Sequence, residues 1–304
     1  MTYLKDFEVQ KIYPKFFDVD WNFNQQEAVA KASLIVDSAL PDIIEIVPTV
    51  FITNRTLVNI SAEKLPDLAQ KIGQKLIRQL EEFPNIVLKE IQFDCDWSQS
   101  TQKKYFTLLK LLKKELAAID IQLSATIRLH QIKYVEKTGV PPVERGMLMY
   151  YNMGKVQEET TENSILDNEI GQQYLAKLKD YPLPLDLALP LFQWGVLFRN
   201  NKMIKLLNQL EANELTALNR FRKVDKNHWE VIKSTYLDGV YLYKNDEIRL
   251  EKVTFDELNI AAELLQQQLK REDRSIVFYH LDSAVLANFE VAELHPILLK
   301  FGTK

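Results

Sequence analysis

The sequence predicts an α/β fold, a (β/α)8 TIM-like barrel in which parallel strands alternate with helices. Short apolar runs alternate with amphipathic helical patterns along the whole chain, which implies right-handed parallel crossovers. Several of the runs are apolar on both faces, as strands buried on both sides of a parallel sheet are. The 304 residues suffice for one barrel of about 250 residues. Because no Gly/Ser-rich linker interrupts them, we expect a single domain over residues 1–304.

Apolar runs predict strands at residues 11–17, 43–52, 87–94, 122–129, 146–151, 185–190 and 275–281. A barrel of this kind has eight strands. The remaining strand comes either from a hairpin late in the chain or from a strand that precedes Lys11. In the second case this chain lacks the first strand of the barrel.

Helical periodicity predicts helices at residues 25–38, 63–82, 101–118, 166–179, 255–271 and 284–300. The helix at 255–271 has a clear start, because Thr254 can cap it and Glu257 can complete a capping box. Residues 200–253 break the alternation and are predicted as an insertion. The insertion combines two short helical patterns with a β-hairpin, in which residues 241–243 pair with 248–250.

The composition argues against several classes of function. A net charge of −4 gives no general attraction to nucleic acid, which needs a basic face. Cys95 is the one cysteine, so the chain has no internal disulfide and no cysteine-based zinc site. Its alternation with Asp94 and Asp96 predicts a buried, unreactive thiol. No G-x-G-x-x-G, G-x-x-x-x-G-K or G-x-S-x-G motif occurs, so no nucleotide cofactor and no Ser-His-Asp hydrolysis are expected.

The sequence shows neither a membrane-spanning segment nor a signal peptide for export. No apolar run approaches the length of about 20 residues that spans a bilayer. The first residues are polar and acidic, so the location expected by default is cytoplasmic. If the N-terminus is trimmed, we expect an exported or lipid-anchored protein instead.

Polar side chains end most of the predicted strands. Residues two apart in a strand share a face, as Asp94 and Asp96 do, and active sites of parallel barrels lie at the carboxyl ends of the strands. This rim is predicted to carry Asp18, Asp20, Asp94, Asp96, Arg128, His130, Tyr150, Asn152, Asp186, His280 and Asp282. Arg249 and Glu251 join the rim if the hairpin folds over it.

Three of the four tryptophans, Trp21, Trp97 and Trp194, fall at the same strand ends. Their rings offer flat apolar faces with a polar edge. Sugar rings stack on such faces, and carboxylates bind sugar hydroxyls. The combination favours a carbohydrate as substrate or ligand.

Asp94 and Asp96 are the candidates for acid–base chemistry. Two carboxylates on one face repel each other when both are charged, which raises the pKa of one of them unless a cation sits between them. Asp96 is therefore predicted to act as general acid, and Asp94 to adjust the pKa of Asp96.

Some of these residues also have structural explanations. Asp282 precedes a helix and can be its N-cap. Asp18 and Asp20 can be partners of Lys15 or Arg128. His130 and His280 with an aspartate suggest a metal-dependent hydrolase, but the histidines lack metal-binding spacing and no metal site is assigned.

Two stretches resemble strand motifs of chitinase-type (family 18) glycoside hydrolases. Residues 93–97, Phe-Asp-Cys-Asp-Trp, resemble the fourth-strand motif F-D-x-D-W-E, and residues 148–152 resemble the sixth-strand motif M-x-Y-D. More closely, the chain from about residue 11 onward resembles a bacterial family of glycoside-hydrolase-like TIM-barrel proteins. That resemblance lies in residues 16–21, 47–54, 92–97, 125–131, 138–154 and 185–194. It implies a glycosidase-like barrel.

The chain departs from the chitinase pattern at two positions. Ser98 stands where the motif has its catalytic glutamate, and Asn152 stands where it has an aspartate. The substrate-assisted chitinase mechanism is therefore not carried over. Two functions remain: hydrolysis with Asp96 or Asp94 as the acid, and non-catalytic glycan binding on a degenerate barrel. A metal-dependent hydrolase is the third alternative.

Overall fold

The structure is a computed structural model that describes residues 2–35, 44–83, 86–208, 210–217, 219–270 and 272–302. It is an α/β protein with a large parallel sheet and helices, as the sequence predicts. The chain forms two compact units. Residues 1–149 and 180–186 make the first, and residues 150–179 and 187–304 make the second.

The first unit is built on six strands in the order β8-β7-β6-β5-β2-β3. All of them run parallel to their neighbours except β3, which is antiparallel to β2. Two further strands, β1 and β4, form a short parallel pair. The strands are β1 (Lys11–Ile12), β2 (Lys15–Asn22), β3 (Glu27–Lys31), β4 (Glu45–Ile46), β5 (Thr49–Ile52), β6 (Glu90–Asp94), β7 (Gln122–Arg128) and β8 (Arg145–Met149).

The helices of the first unit are α1 (Thr2–Asp6), α2 (Asn54–Asn59), α3 (Leu65–Leu80), α4 (Gln102–Glu115), α5 (Leu129–Lys133) and α6 (Val135–Thr138). A 3-10 turn at Ala62–Lys64 leads into α3. The helices α3 and α4 bury the apolar stripes that the periodicity predicts. They approach closely at Gly73, where an added Cβ would lie 3.3 Å from the Cβ of Glu115.

A helix was predicted at residues 25–38, of which the structure describes 25–35. This prediction is wrong, because the chain turns back after β2 and forms β3 there. The side chain of Asn22 accepts hydrogen bonds from the backbone N–H groups of Asn24 (3.0 Å) and Gln25 (3.2 Å). Gln26 then adopts a left-handed φ of 53°. An Asn side chain that binds the backbone two residues on favours a turn over a helix. Residues 36–38 of this prediction, residue 43 of the second predicted strand and Arg271 lie outside the described residues.

Strand β9 (Leu185–Pro190), whose bounds match the prediction, starts in the first unit and continues in the second. In the second unit it pairs in parallel with β17 (Ile276–Tyr279). A separate antiparallel sheet has the order β11-β10-β16-β13-β12, and β14 and β15 form a hairpin. Its strands and the hairpin are β10 (Trp194–Arg199), β11 (Lys202–Leu207), β12 (Phe221–Lys223), β13 (His228–Val231), β14 (Thr235–Leu237), β15 (Val240–Leu242) and β16 (Glu247–Glu251).

The insertion thus contributes β11, β12, β13 and β16 to a five-stranded sheet whose fifth strand, β10, precedes it, and residues 241–243 and 248–250 do not form the predicted hairpin. The segment at 241–243 pairs with β14, and the segment at 248–250 pairs with β10 and β13. The reason is burial: Ile248 and Leu250 join an apolar core with Leu197, Leu207 and Trp229. Local alternation does not identify the partner strand, because any strand with an apolar face can satisfy it.

The helices of the second unit are α7 (Asn168–Gln172), α8 (Ala212–Ala217), α9 (Phe255–Gln268), α10 (Ser283–Leu286) and α11 (Val291–Lys300). The capping box predicted for α9 is present, with Thr254 and Glu257 as its members. The predicted helices at 166–179 and 284–300 are each interrupted. The first divides into α7 and a 3-10 turn at Leu175–Asp180, and the second into α10 and α11. Within the described ranges, no helix combines the length and apolarity needed to cross a bilayer.

Candidate functional site

The carboxyl ends of β6 and β7 bring Asp94 and Arg128 together in the first unit. Arg128 Nη2 donates to Asp94 Oδ1 over 3.2 Å, and the hydroxyl of Thr126 donates to the same oxygen over 2.5 Å. The other guanidinium nitrogen of Arg128 contacts the sulfur of Met149 at the end of β8. Asp94 and Arg128 are both partly buried. Their charge-assisted bond therefore holds two neighbouring strand ends in a defined geometry.

Asp96 and His130 lie just beyond the same two strands. His130 Nε2 is 3.7 Å from Asp96 Oδ1, and the side chain of Asp96 is 60% exposed. Burial lowers the pKa of His130, although the negative charge of Asp96 opposes this shift. A neutral imidazole beside an accessible carboxylate can share or relay a proton. This is the most accessible acid–base pair among the predicted residues of the first unit.

Asp20 is buried and is held by groups that the sequence did not identify. Its carboxylate accepts hydrogen bonds from Arg55, from Lys31 (2.8 Å) and from the hydroxyl of Thr53 (3.0 Å). The hydrogen bonds from Arg55, above all, keep the pKa of Asp20 well below its usual range. The sequence signal was weak, since Thr53 and Arg55 directly follow β5 but only their position at a strand end distinguishes them.

Asp18 has the partner that the sequence offered as an alternative. Lys15 Nζ lies 3.0 Å from Asp18 Oδ1, three residues away on the same strand. Lys15 donates its hydrogen bond to Asp18 Oδ2 over 3.2 Å, whereas the buried Oδ1 has no hydrogen-bond partner among the described residues. Asp20, by contrast, pairs with neither Lys15 nor Arg128 in the interactions described above.

Trp97 is a core residue, which corrects the expectation that it stacks on a sugar. Its exposure is 0%, and its indole N–H donates to the carbonyl oxygen of Thr138 over 2.8 Å. One face stacks on Tyr105 with ring centroids 5.1 Å apart, and Phe106 packs edge-on. Trp21 is also buried, so neither ring offers a free face.

Two further residues of the first unit are structural. Cys95 is buried, and burial raises the pKa of its thiol, as a packed and unreactive cysteine should show. Asp186 is also buried and pairs with Arg145 over 3.2 Å. Asp186 is the second residue of β9 and therefore lies near its amino end, which corrects its predicted place at the carboxyl rim.

Tyr150 and Asn152 follow β8 in the second unit. Tyr150 is buried, burial raises the pKa of its phenol, and its hydroxyl donates to Asn168 Oδ1 over 3.4 Å. Its predicted contact with a substrate does not agree with this burial. Asn152 is exposed, has a left-handed φ of 56° and donates its backbone N–H to Ile165.

An aromatic cluster in the second unit contains two of the predicted residues, Trp194 and His280. Its other members, Tyr151, Phe192 and Tyr279, were not predicted from the sequence. The rings of Tyr151 and Tyr279 are stacked, with centroids 5.4 Å apart and planes within 8°. The centroid of the Phe192 ring lies 5.2 to 6.3 Å from the ring centroids of the other cluster members.

The signal that could have found these residues is their place directly at or after the ends of β8, β9 and β17. Tyr279 is 46% exposed, so the cluster has an accessible aromatic surface. His280 Nδ1 is buried and has no hydrogen-bond partner among the described residues. The cluster therefore also holds an unused polar atom.

The remaining predicted residue, Asp282, is the N-cap of α10. Its carboxylate accepts from the backbone N–H groups of Ala284 (2.8 Å) and Val285 (3.2 Å). This confirms the structural alternative that the sequence offered. For the metal alternative, no group of three His, Cys, Asp or Glu side chains within the described part of the chain is arranged to hold an ion.

Ser98 occupies the position of the chitinase acid and hydrogen-bonds to the hydroxyls of Ser100 (2.9 Å) and Thr101 (3.2 Å). A serine hydroxyl is too weak an acid to protonate a leaving sugar. Any acid in the first unit must therefore come from another side chain, and Asp96 is the most exposed of the predicted ones there.

No protein family profile and no curated protein matches this sequence. Solved structures do match. The chitinase of Chromobacterium violaceum ATCC 12472 has a TM-score of 0.57 at 12% identity, over 98% of this chain and 93% of that chain. The spore cortex-lytic enzyme of Bacillus cereus has a TM-score of 0.57 at 13% identity, over 99% and 70%. A Group IV chitinase of Ostrinia furnacalis has a TM-score of 0.53 at 11% identity, over 98% and 92%. The chain therefore shares an α/β fold with the chitinase-type TIM-barrel glycosidases, to which it is distantly similar.

Proposed function

We propose that this chain binds a glycan and that the aromatic cluster of Tyr151, Phe192, Trp194, Tyr279 and His280 is its sugar-binding surface. The observation that carries the proposal is the exposed ring of Tyr279, 46% accessible and stacked on Tyr151. A stacked partner fixes the orientation of the exposed ring before a ligand arrives. Fixed aromatic faces reduce the entropy lost on binding.

The chemistry of the cluster suits a sugar. The faces of aromatic rings take the apolar face of a pyranose, and His280 Nδ1, which has no hydrogen-bond partner among the described residues, is a polar atom beside them. Chitin is the substrate named for two of the structural neighbours, so a chito-oligosaccharide is the first ligand to test.

The test is the affinity of wild type and Tyr279→Ala for chitohexaose, measured by isothermal titration calorimetry. We expect Tyr279→Ala to bind about tenfold more weakly, which corresponds to about 1.4 kcal/mol. Tyr236→Ala is the matched control, because Tyr236 is 73% exposed on the β14–β15 hairpin and outside the cluster. Equal affinities for wild type and Tyr279→Ala, or no binding of any glycan on an array, would refute the proposal.

Glycoside hydrolysis is the second candidate function, and one observation favours it. Asp96 is exposed next to His130, and Arg128 already neutralises Asp94. In this reaction water attacks the anomeric carbon as the glycosidic C–O bond breaks, protonated Asp96 gives its proton to the leaving-group oxygen as general acid, and a proton of the attacking water passes to solvent. Arg128 and His130 hold the substrate. Asp96→Asn should then abolish release of reducing ends from glycans that wild type cleaves. Asp67→Asn, on the exposed surface of α3, should cleave like wild type. Binding without any cleavage by wild type leaves glycan binding alone.

We also propose that the chain is one domain with a closed (β/α)8 barrel. What supports this is the coverage of the chain by barrel glycosidases, 98% and 99% for two of them. A crystal structure would test the closure directly, since an open sheet edge would contradict it.

A further inference from the structure

A fully buried ion pair lies on β16, in the second unit. The side chains of Arg249 and Glu251 are both 0% exposed, and Arg249 Nε donates to Glu251 Oε1 over 2.7 Å. Removing two charges from water is costly, so a pair of this kind persists only when its remaining polar atoms also have partners. The identity of those partners shows what the pair holds in place.

Arg249 binds the loop at 155–164. Its Nη1 donates to the carbonyl oxygens of Glu158 (2.7 Å) and Glu159 (3.2 Å), and its Nη2 donates to that of Val156 (3.0 Å). The guanidinium also lies over the ring of Phe198, 5.0 Å from its centroid. One side chain thus satisfies three backbone acceptors of a loop that follows β8.

Glu251 collects three donors on its second oxygen. Oε2 accepts from the Trp194 indole N–H (2.9 Å), from the Ser164 backbone N–H (2.8 Å) and from the Ser164 hydroxyl (2.6 Å). With Arg249 on Oε1, the carboxylate has a partner on each oxygen. An amide could not replace it, because its NH2 group would face donors where the carboxylate has an acceptor.

These contacts connect two members of the aromatic cluster. The Trp194 ring packs against Phe192, with centroids 5.2 Å apart. The Ser164 carbonyl accepts from the backbone N–H of Met153 (3.0 Å), two residues after Tyr151. The backbones are close here, since a Cβ on Gly154 would lie 2.9 Å from the Cα of Ser164. Glu251 therefore holds Trp194 directly and holds the chain after Tyr151 through Ser164.

We propose that Glu251 is a positioning residue for glycan binding, and that Arg249 holds its carboxylate in place. The inference rests on the proposed function. Glu251 need not touch the sugar. A single hydrogen bond fixes the rotation of the Trp194 ring, and the bonds to Ser164 fix the segment that carries Tyr151. The small antiparallel sheet thereby serves the aromatic cluster, although most of its strands contribute no residue to it.

The experiment compares affinities for chitohexaose in three variants that remove one contact each. Trp194→Phe keeps an aromatic ring and loses the donor, Ser164→Ala loses one hydroxyl, and Glu251→Gln loses the charge. We expect each variant to bind three- to tenfold more weakly, with Tyr236→Ala unchanged. Trp194→Phe and Ser164→Ala leave the buried ion pair intact, so they decide the question even if Glu251→Gln fails to fold.

A spectroscopic readout separates positioning from general stability. The Trp194 fluorescence, obtained by subtracting the Trp194→Phe spectrum, should change on addition of chitohexaose in wild type. In Ser164→Ala that change should be reduced, although the far-UV circular dichroism stays like wild type. If Tyr279→Ala weakens binding but Trp194→Phe and Ser164→Ala bind like wild type, the positioning role is wrong. If Tyr279→Ala itself has no effect, the proposed function fails first.

Discussion

Arg128 Nη2 lies 3.2 Å from Asp94 Oδ1, so the Arg128 guanidinium balances the negative charge of the carboxylate at the carboxyl end of β6. From the sequence, Asp94 and Asp96 are expected to repel each other unless a cation sits between them. In the structure Asp94 is neutralised by Arg128, and Asp96 has His130 as its own neighbour. Each of the two carboxylates thus has a basic side chain of its own as a neighbour, at 3.2 Å for Asp94 and 3.7 Å for Asp96.

Replacing Arg128 by methionine should destabilise the first unit. Among the described residues, the change leaves the partly buried Asp94 with the Thr126 hydroxyl alone as a side-chain partner, which we expect to cost about 1–2 kcal/mol of unfolding free energy. Urea denaturation followed by circular dichroism measures the loss. Arg78→Met is the control, because Arg78 is exposed and donates only to the Gln74 carbonyl, and it should change stability by less than about 0.5 kcal/mol. Equal midpoints for both variants would show that the Asp94 contact contributes nothing.

Replacing Trp97 by alanine should affect stability and not glycan binding. The ring is fully buried against Tyr105 and Phe106, so we expect a loss of about 3–5 kcal/mol from the cavity and the lost hydrogen bond to Thr138. The variant is measured by urea denaturation, and its chitohexaose affinity by calorimetry at a temperature where it remains folded. If Trp97→Ala is as stable as wild type but binds glycan poorly, the conclusion that Trp97 is a core residue without ligand contact is wrong.

Most strands of the parallel sheet could be predicted, because a strand buried on both faces appears in the sequence as a continuous apolar run. The prediction for β9 has the observed bounds, and those for β6 and β7 differ only at their ends. The hairpin of β2 and β3 could not be predicted in the same way. It depends on the Asn22 side chain and on the left-handed Gln26, while the residues that follow have an apolar spacing that also fits a helix.

The candidate site was predicted in part for a related reason. A charged residue at a strand end is visible in the sequence, but its partner is not. Nothing local distinguishes Asp20, buried under Arg55, from Asp96, which is exposed. Tyr151, Phe192 and Tyr279 could not be identified as a group, because single tyrosine and phenylalanine residues are common in strands. Their clustering is a property of the tertiary fold.

Asp20 should make stability depend on pH in the acid range. Hydrogen bonds from Arg55, then those from Lys31 and Thr53, hold the pKa of Asp20 well below its usual value of about 3.9. A group whose pKa is lower in the folded state stabilises fully above the unfolded pKa, and loses that contribution as the pH falls towards the folded pKa. Wild type should therefore exceed Asp20→Asn in stability at pH 6, and the difference should shrink below about pH 4. A difference that is constant from pH 6 to pH 2.5 would contradict the role of Asp20.

His130 provides the last test, because its pKa reports on the surroundings of Asp96. Burial lowers the pKa of His130 below 6.5, and the charge of Asp96 works in the opposite direction. Asp96→Asn should therefore lower the pKa further. NMR titration of the ring protons measures both values, with His130→Gln to assign the resonance. Since the folded protein disfavours the charged imidazole, His130 should also reduce stability as the pH falls below about 6.5, and His130→Gln should lack this loss. A His130 pKa that is the same in wild type and Asp96→Asn would mean that the two side chains do not interact in solution and do not relay a proton between them.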